Sequence, residues 1–415
     1  MSHSEIKKPE DIQIPPSSFL AKLPVLGGIL AVAGLGATFA SAFGEHKARA
    51  MFSYLFAFET VLAIALGGLG WLLIDHTVRS GWGVVVRRFV ETTSATLPVF
   101  ALLWLPIGFL GFHELFPWSH TEHMDPILAK KTWFLSTGFW YARAFIYLAV
   151  WAGLGWFLYS TSVKGDSLSG DDKAGEREKL VHMVRKVCAA GIPLYGVTLS
   201  FGAIDWLMSL QPHWYSTIFG VYYFTAGILA FFAFVTLMSM AAQGSGVLKD
   251  AITMEHFHDL GKFMFGYTIF WAYIAFSQFV LIWYANIPEE TEFFMVRVEG
   301  GWEWLSYGLP IAHFFVPFLF MLSRQIKRNK SLLAAGAVWT LVMHAVDIYW
   351  LVLPNYGAHG GGEHEPHLAP SYLDFTALLG VTGVFLAVYG LLLNRNKVVA
   401  INDPRLEESL AHENY

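Results

Sequence analysis

The chain has 415 residues, of which 55% are hydrophobic, 16% aromatic and only 14% charged. Soluble globular proteins carry about 25% charged residues, so the composition excludes that class and predicts a surface that faces lipid. The net charge of −5 is too small to favour nucleic acid or another strongly charged partner. The only cysteine, Cys188, excludes an internal disulfide and an iron–sulfur cluster held by this chain.

Ten apolar runs are long enough to cross about 30 Å of hydrocarbon as helices. Unbroken apolar runs lack the alternation of barrel strands, so the sequence predicts an all-α integral membrane protein of about ten transmembrane helices. It divides into an N-terminal segment (1–19), a membrane domain (20–393) and a C-terminal tail (394–415). The predicted spans are Leu20–Phe43, Ala50–Ile74, Thr93–Gly111, Gly138–Tyr159, Val184–Met208, Ser216–Met240, Leu260–Trp283, Trp302–Leu322, Ser331–Leu353 and Tyr372–Leu393.

The distribution of Lys and Arg predicts the orientation, because cytoplasmic loops collect these residues. If the N-terminus lies inside, the inside segments hold 21 basic residues and the outside loops hold 5, and Arg143 alone falls well within a span. This bias alternates from loop to loop and places both termini in the cytoplasm. The segment Thr161–Met183 is charged and punctuated by glycine, which predicts a solvated cytoplasmic loop.

Ionisable side chains within spans are costly, so they are the first functional candidates. His344 and Asp347 stand at i and i+3, on one face of the ninth span and near mid-membrane. His313 is near the middle of the eighth span and Glu59 near the middle of the second. A histidine beside a carboxylate is suited to passing protons, so these residues predict a proton relay. Glu59 has an open alternative, a neutral hydrogen-bonded acid that locks helices together.

Further ionisable residues lie nearer the ends of the spans. Asp75 and His76 are at the cytoplasmic end of the second helix and join the list of relay candidates. Asp205 is near the outer end of the fifth helix and is a relay candidate as well. Arg143, near the outer end of the fourth, either neutralises Asp205 or takes part in function. Asp374 is expected to be an interfacial helix-end residue, as Asp75 and His76 would be if they are structural.

Metal and haem sites are weighed and not assigned. One buried haem b at most could lie between His313 and His344, and no C-x-x-C-H motif for covalent haem c is present. Histidines and acids in two outside loops have the side chains of a transition-metal site, but mobile loops favour docking instead. These residues are His113, His120, His123 and Asp125 in one loop and His359, Glu363, His364, Glu365 and His367 in the other.

Three separated motifs resemble one family. The stretch His113–Arg143 (HELFPWSHTEHMDPILAKKTWFLSTGFWYAR) is similar to the periplasmic connection in the large membrane subunits of alternative complex III, which are of the NrfD/PsrC quinone-interacting type. Within it the family-like positions are His113, Trp118, Asp125, Lys131 and Arg143. DWLMSLQPHWYSTIFG (Asp205–Gly220) and MHAVDIYW (Met343–Trp350) are also family-like. WFLS, from Trp133 to Ser136, departs from the family's Tyr-Leu-Asn.

The resemblance implies a subunit of a respiratory quinol:electron-acceptor oxidoreductase in a bacterial inner membrane. It implies two four-helix bundles, approximately helices 2–5 and 6–9, plus flanking helices. The implied partners are a homologous ten-helix subunit, an iron–sulfur subunit, multihaem cytochromes c and lipids; those subunits, not this chain, hold the haem c and iron–sulfur clusters. The departure at Tyr-Leu-Asn favours the F subunit, with the homologous C subunit as second choice.

The expected role is a proton-conducting path and a docking surface, with the main quinol site elsewhere. Two half-channels would meet at mid-membrane, and any quinone on this chain is expected at the outer-side residues His113, Asp125, Arg143 and Asp205. A secondary transporter is an alternative that uses the same buried groups, although no Gly/Pro pair breaks helices in matching halves. A purely structural membrane anchor is a third possibility.

Overall fold

The computed structural model describes residues 12–44, 46–120, 126–358 and 367–414. These residues form helices and connecting turns without a strand, and ten of the helices are long and apolar enough to cross a membrane. The predicted all-α, ten-span architecture is thereby confirmed. The spans are α1 (Phe19–Ala42), α2 (Lys47–Val78), α3 (Val84–Leu110), α4 (Thr137–Gly165), α5 (Ala174–Leu210), α6 (Phe219–Gly244), α7 (Met254–Ala285), α8 (Trp302–Leu322), α9 (Lys330–Val352) and α10 (Tyr372–Arg395).

Several helices continue beyond the predicted apolar runs. The prediction of a loop over Thr161–Met183 is wrong, because α4 runs on to Gly165 and α5 already begins at Ala174. Hydropathy detects only the apolar part of a helix, whereas charged residues continue the same hydrogen-bonded turns into water. The extensions also place Arg49 in α2 and Arg87 and Arg88 in α3. Arg143 is therefore one of several basic residues within the helices.

The centre of the bundle is the contact between α2 and α6, in which 83% and 72% of the residues of an 18-residue apolar segment are buried. The two backbones approach closely at Gly67 and Gly227. A Cβ added to Gly67 would lie 2.5 Å from the carbonyl oxygen of Gly227, so no larger side chain fits there. Small residues let helices pack tightly in lipid, and this contact brings the polar side chains of α2 and α6 together. The division into bundles of helices 2–5 and 6–9 stays a prediction.

The first and last spans pack against each other through small residues. A Cβ on Gly27 of α1 would lie 2.6 Å from the carbonyl oxygen of Gly383 of α10, and the Thr38 and Thr376 hydroxyls are 3.0 Å apart. The Val398 N–H then donates to the carbonyl of Ile12 at 2.9 Å. Both terminal segments therefore lie at one end of the bundle. We call this the terminal end and the other the distal end.

Residues 396–414 fold back across the terminal end, and we call them the C-terminal strap. Asp403 forms an ion pair with Arg87 of α3, and the Ser409 hydroxyl donates to the carbonyl of Trp82 at 2.5 Å. Arg405 reaches the carbonyl of Ser80 at 2.9 Å. Burial alone would raise the pKa of Asp403, but Arg87 and Arg405 hold it below its usual range. The ionised carboxylate therefore ties the strap to α3.

Two spans contain a π turn. α3 contains a π turn at Pro106–Leu110 and α8 contains one at Pro310–Phe315. Each begins at a proline, which lacks the N–H that an α-helix would use. Single π turns are often found at functional sites, and the one in α8 includes His313.

Candidate functional site

Asp347 on α9 is fully buried in the interior of the bundle. Its carboxylate accepts hydrogen bonds from the Tyr222 hydroxyl of α6 and, at 3.1 Å, from the Trp271 indole of α7. Both donors are neutral, and among the described residues the ion pairs do not include Asp347. A charge without a counter-charge is costly inside a membrane. Asp347 is therefore a carboxyl group for which taking up a proton removes an energetic penalty.

Glu59 on α2 is the second buried carboxyl group. Its Oε2 accepts a hydrogen bond from the Tyr223 hydroxyl at 2.7 Å, and the same hydroxyl lies 3.1 Å from the Glu59 carbonyl oxygen. Its Oε1 has no partner among the described residues. Tyr223 is one helical turn before Gly227, so the close α2–α6 contact sets this bond. Glu59 thus joins two helices and still has one free acceptor.

The two deep histidines extend the polar region to α8 and α9. His344 Nε2 donates to the Thr60 carbonyl at 3.0 Å, because a carbonyl can only accept, and its Nδ1 has no partner. The His313 ring stacks on Trp271 with a centroid distance of 4.0 Å and an interplanar angle of 8°. Neither of its nitrogens has a hydrogen-bond partner at good geometry among the described residues, although the ring lies near the backbone of Met343. Both imidazoles therefore retain nitrogens that could exchange protons.

Together these side chains form what we call the buried polar cluster, between α2, α6, α7, α8 and α9. Four of its members are residues that the sequence predicts as relay candidates. The aromatic members were missed, because Tyr222 and Tyr223 lie in an apolar run and Trp271 in an aromatic-rich one. The full set is Glu59, Tyr222, Tyr223, Trp271, His313, His344 and Asp347.

Asp205 on α5 is equally buried but has a cation. Arg143 of α4 donates to both carboxylate oxygens, at 2.8 and 2.6 Å, and Tyr147 donates to one of them at 2.9 Å. The guanidinium also contacts the Phe134 carbonyl at 2.8 Å and lies over the Phe134 ring. The neutralisation of Asp205 by Arg143, one of the two alternatives from the sequence, is present. This bidentate pair satisfies the carboxylate and joins α4 to α5.

Asp205 and Asp347 stand in the same position of a repeated motif. Both helices carry Leu-x-x-x-Ala-(Ile/Val)-Asp followed seven residues after the aspartate by proline: Leu199 to Pro212 around α5, and Leu341 to Pro354 around α9. The repeat is visible in the sequence itself. It makes the two carboxylates natural counterparts.

A basic residue lies at the distal end of each of these helices, beyond the last residue of α5 and at the last turn of α9. Lys131 donates to the carbonyls of Pro212 and His213, at 2.6 and 3.1 Å. Arg297 donates to the carbonyls of Trp350 and Leu351, at 3.0 and 2.9 Å. Cations favour the carbonyl ends of helices. Arg297 lies between the predicted spans Leu260–Trp283 and Trp302–Leu322, and its complete burial is a feature that only the packing reveals.

The remaining relay candidates lie apart from the cluster. Asp75 and His76 are at the terminal end of α2, where His76, Arg87 and Arg405 line one small cavity beneath the strap. Asp75 is buried, and no hydrogen bond or ion pair of the described residues joins it to the cluster. A proton path from this end would therefore need water between the two places.

The outer-side quinone candidates are brought together only in part. Arg143 and Asp205 are paired, whereas His113 is exposed and its Nδ1 lies 3.1 Å from the Ser119 hydroxyl. Among the described residues, no group of three or more His, Cys, Asp or Glu side chains is placed to hold a metal ion. Several loop candidates lie outside the described residues: His123, Asp125, His359, Glu363, His364 and Glu365.

No protein-family model and no curated protein matches this chain.

Proposed function

We propose that this chain is a membrane subunit of a quinol:electron-acceptor oxidoreductase in a bacterial inner membrane, where it provides part of a proton-conducting path and a docking surface. The observation that carries the proposal is Asp347, a fully buried carboxyl group that among the described residues is held by the neutral donors Tyr222 and Trp271 alone. Structural carboxylates in a membrane are normally paired with cations. Asp347 is instead placed to gain and lose a proton.

The unsatisfied atoms around Asp347 support a path of several steps. Buried polar atoms almost always have a hydrogen-bond partner, yet Glu59 Oε1, His344 Nδ1 and both nitrogens of His313 have none at good geometry among the described residues. Bound water is the usual partner in such polar interiors. Water molecules at these four atoms would connect carboxyl groups and imidazoles into a chain along which protons move.

The redox part of the proposal is supported by the three family-like motifs. Two of them contain Asp205 and Asp347, and a third ends at Arg143, so the resemblance falls on residues that the bundle buries. The partners proposed with it are an iron–sulfur subunit, multihaem cytochromes c and a homologous ten-helix subunit. Moving a charge against the membrane potential takes about 2.3 kcal/mol per 100 mV, and quinol oxidation by these partners would supply that energy.

The path is tested with Asp347→Asn in the intact complex in proteoliposomes, by the protons released per quinol oxidised. We expect the proton yield to fall while the complex stays assembled, because asparagine accepts one hydrogen bond but does not exchange a proton. Asp250→Asn is the matched control, since Asp250 is an exposed carboxylate in the turn between α6 and α7. A wild-type proton yield in Asp347→Asn contradicts the path.

The redox assignment is tested by purification through a tag on this chain in mild detergent. We expect subunits with haem c and iron–sulfur clusters to co-purify with quinol-oxidising activity, as shown by mass spectrometry and a visible spectrum. A lone, colourless chain contradicts the respiratory assignment and favours a secondary transporter, which transport by that chain in vesicles would then establish.

A further inference from the structure

A cavity of about 720 Å³ opens between α7 and α8 in the distal half of the bundle. Pockets for small molecules typically measure about 300–1,000 Å³ and are mostly apolar with a few polar groups. Here Tyr222, Gln278 and Ser306 contribute polar atoms to otherwise aromatic and aliphatic walls. The cavity therefore has the size and lining of a ligand site.

The mouth of the cavity faces the outside of the bundle. Tyr273 and Phe276 of α7 and Tyr307 of α8, which line it, are 64%, 66% and 66% exposed. Exposed aromatic surface on a spanning helix lies against lipid. A ligand would thus enter from the bilayer and has to be lipid-soluble.

The inner wall of the cavity touches the buried polar cluster. Tyr222 and Trp271 both line the cavity and both donate to the carboxylate of Asp347. The Trp271 ring also stacks on His313. A ligand in the cavity would therefore contact the two side chains that hold Asp347.

The wall on the side of α8 is the π turn. Pro310, Phe314 and Phe315 line the cavity and belong to the turn Pro310–Phe315. A π turn inserts an extra residue into the helix and so changes which side chains face inward. This departure from α geometry accounts for one side of the cavity.

The lining defines the chemistry of the occupant. None of the residues that line the cavity is Asp, Glu, Lys, Arg or His, which disfavours a charged ligand or a phospholipid headgroup. Aromatic walls favour a planar ring. The hydroxyls of Tyr222 and Ser306 already donate within the protein, to Asp347 and to the Arg297 carbonyl. The Gln278 amide oxygen accepts from Ser216, so its N–H group is the donor that remains among the described residues, and it favours a ring that carries a carbonyl oxygen. An acyl chain would leave this donor unused.

We propose that this cavity binds the ring of a membrane-soluble quinone, beside Asp347 and apart from the outer-side residues Arg143 and Asp205. The choice of a quinone over another neutral ring rests on the proposed function, whereas the site itself rests on the cavity. A ring bound here would lie against Tyr222 and Trp271, so that binding and the protonation of Asp347 would influence each other.

The site is tested with the full chain, in whatever complex it is purified, in phosphatidylcholine nanodiscs. The probe is an azido derivative of a short-chain ubiquinone, with decylubiquinone as competitor and peptide mapping by mass spectrometry as the readout. We expect labelling within residues 269–279 and 306–315 that decylubiquinone displaces. Because phosphatidylcholine is present in large excess, its acyl chains would displace the probe from a site that binds acyl chains. Labelling that persists in the nanodisc is therefore at a site that prefers the quinone ring.

Two variants fill the cavity independently, Ala275→Trp and Ala272→Phe, since both alanines line it. We expect each to lower displaceable labelling by about tenfold, because overpacking removes the space for the ring. Ala190→Trp is the matched control, at an exposed position of α5, and gel filtration checks the folding of all three. Labelling that maps to other helices, that decylubiquinone does not displace, or that persists in both folded variants overturns the site. None of these outcomes depends on the proton yield of Asp347→Asn, so the site and the proposed path fail separately.

Discussion

Asp205 on α5 and Asp347 on α9 occupy the same position of a repeated motif, and both are fully buried. Asp205 is held by Arg143 through two hydrogen bonds of 2.8 and 2.6 Å, and by Tyr147. Asp347 is held by a tyrosine and a tryptophan. The first half of the molecule therefore compensates its carboxylate with a charge, and the second half does so with dipoles alone.

Because their partners differ, we propose different roles for the two aspartates. A bidentate ion pair is strong and geometrically specific, and opening it would leave two buried charges without partners. Asp205 is therefore suited to fixing α4 against α5. Asp347 can change its protonation state without stranding a cation. The sequence treats both as relay candidates, whereas the structure favours Asp347 for proton transfer and Asp205 for structure.

The largest expected effect is on stability, in the comparison of Asp205→Asn with Asp347→Asn. Removing one partner of a buried ion pair costs about 3–5 kcal/mol. Asp205→Asn should therefore lower the free energy of unfolding by most of that amount. Asp347→Asn leaves no charge behind and should cost only about 1 kcal/mol, the scale of one neutral hydrogen bond. The free energies of unfolding, from denaturation in mixed detergent micelles, measure both.

The double variant Arg143→Gln with Asp205→Asn sharpens this result. If the loss in Asp205→Asn comes from the stranded guanidinium, removing that cation should restore part of the stability. If the loss of stability in the double variant equals the sum of the losses in the two single variants, the two residues are not coupled, and the ion pair is not the cause. Equal loss of stability in Asp205→Asn and Asp347→Asn also argues against the ion pair as the cause.

An intermediate effect is expected from the matched pair Tyr222→Phe and Tyr147→Phe. Each change removes one hydroxyl that donates to a buried carboxylate. Asp205 retains both bonds from Arg143, so Tyr147→Phe should cost about 1 kcal/mol. Asp347 retains only Trp271, so Tyr222→Phe should cost about 2–3 kcal/mol. Equal losses in the same unfolding measurement would remove the contrast between the two halves.

The smallest effect concerns Asp403, which is paired with Arg87 like Asp205 with Arg143 but lies outside the spans. Its pKa in the folded protein is below the ordinary value of 3.8, because Arg87 and Arg405 outweigh its burial. The pair therefore stabilises the fold fully above pH 3.8, and this contribution is lost as the pH falls through the lowered pKa.

The stability difference between wild type and Asp403→Asn should be constant, about 1–3 kcal/mol, at neutral pH and should shrink below pH 3.8. Unfolding measured at several pH values checks this. If the stability difference between wild type and Asp403→Asn grows on acidification, the ion pair with Arg87 is not its source. The Asp250→Asn variant serves as control, because Asp250 is an exposed carboxylate outside the strap.

The ten spans could be predicted because hydropathy is a property of consecutive residues. The partners of the buried groups could not, because they come from other helices. Tyr222 and Trp271 show no sign of their role in the sequence and gain it only when α6 and α7 pack against α9. Arg297 belongs by position to a loop, yet the chain buries it against the end of α9. The repeated motif around Asp205 and Asp347 is the one signal that the sequence offered for the comparison above.

The glycine contact between α1 and α10 has a consequence for how the chain is made. α1 is made before α10, and only 22% of an 18-residue apolar segment of α1 is buried. Its close partner Gly383 lies in α10. During synthesis the glycine surface of α1 therefore lacks this partner until about 340 further residues have been added. A chain that stops before α10 is left with this glycine surface unpaired.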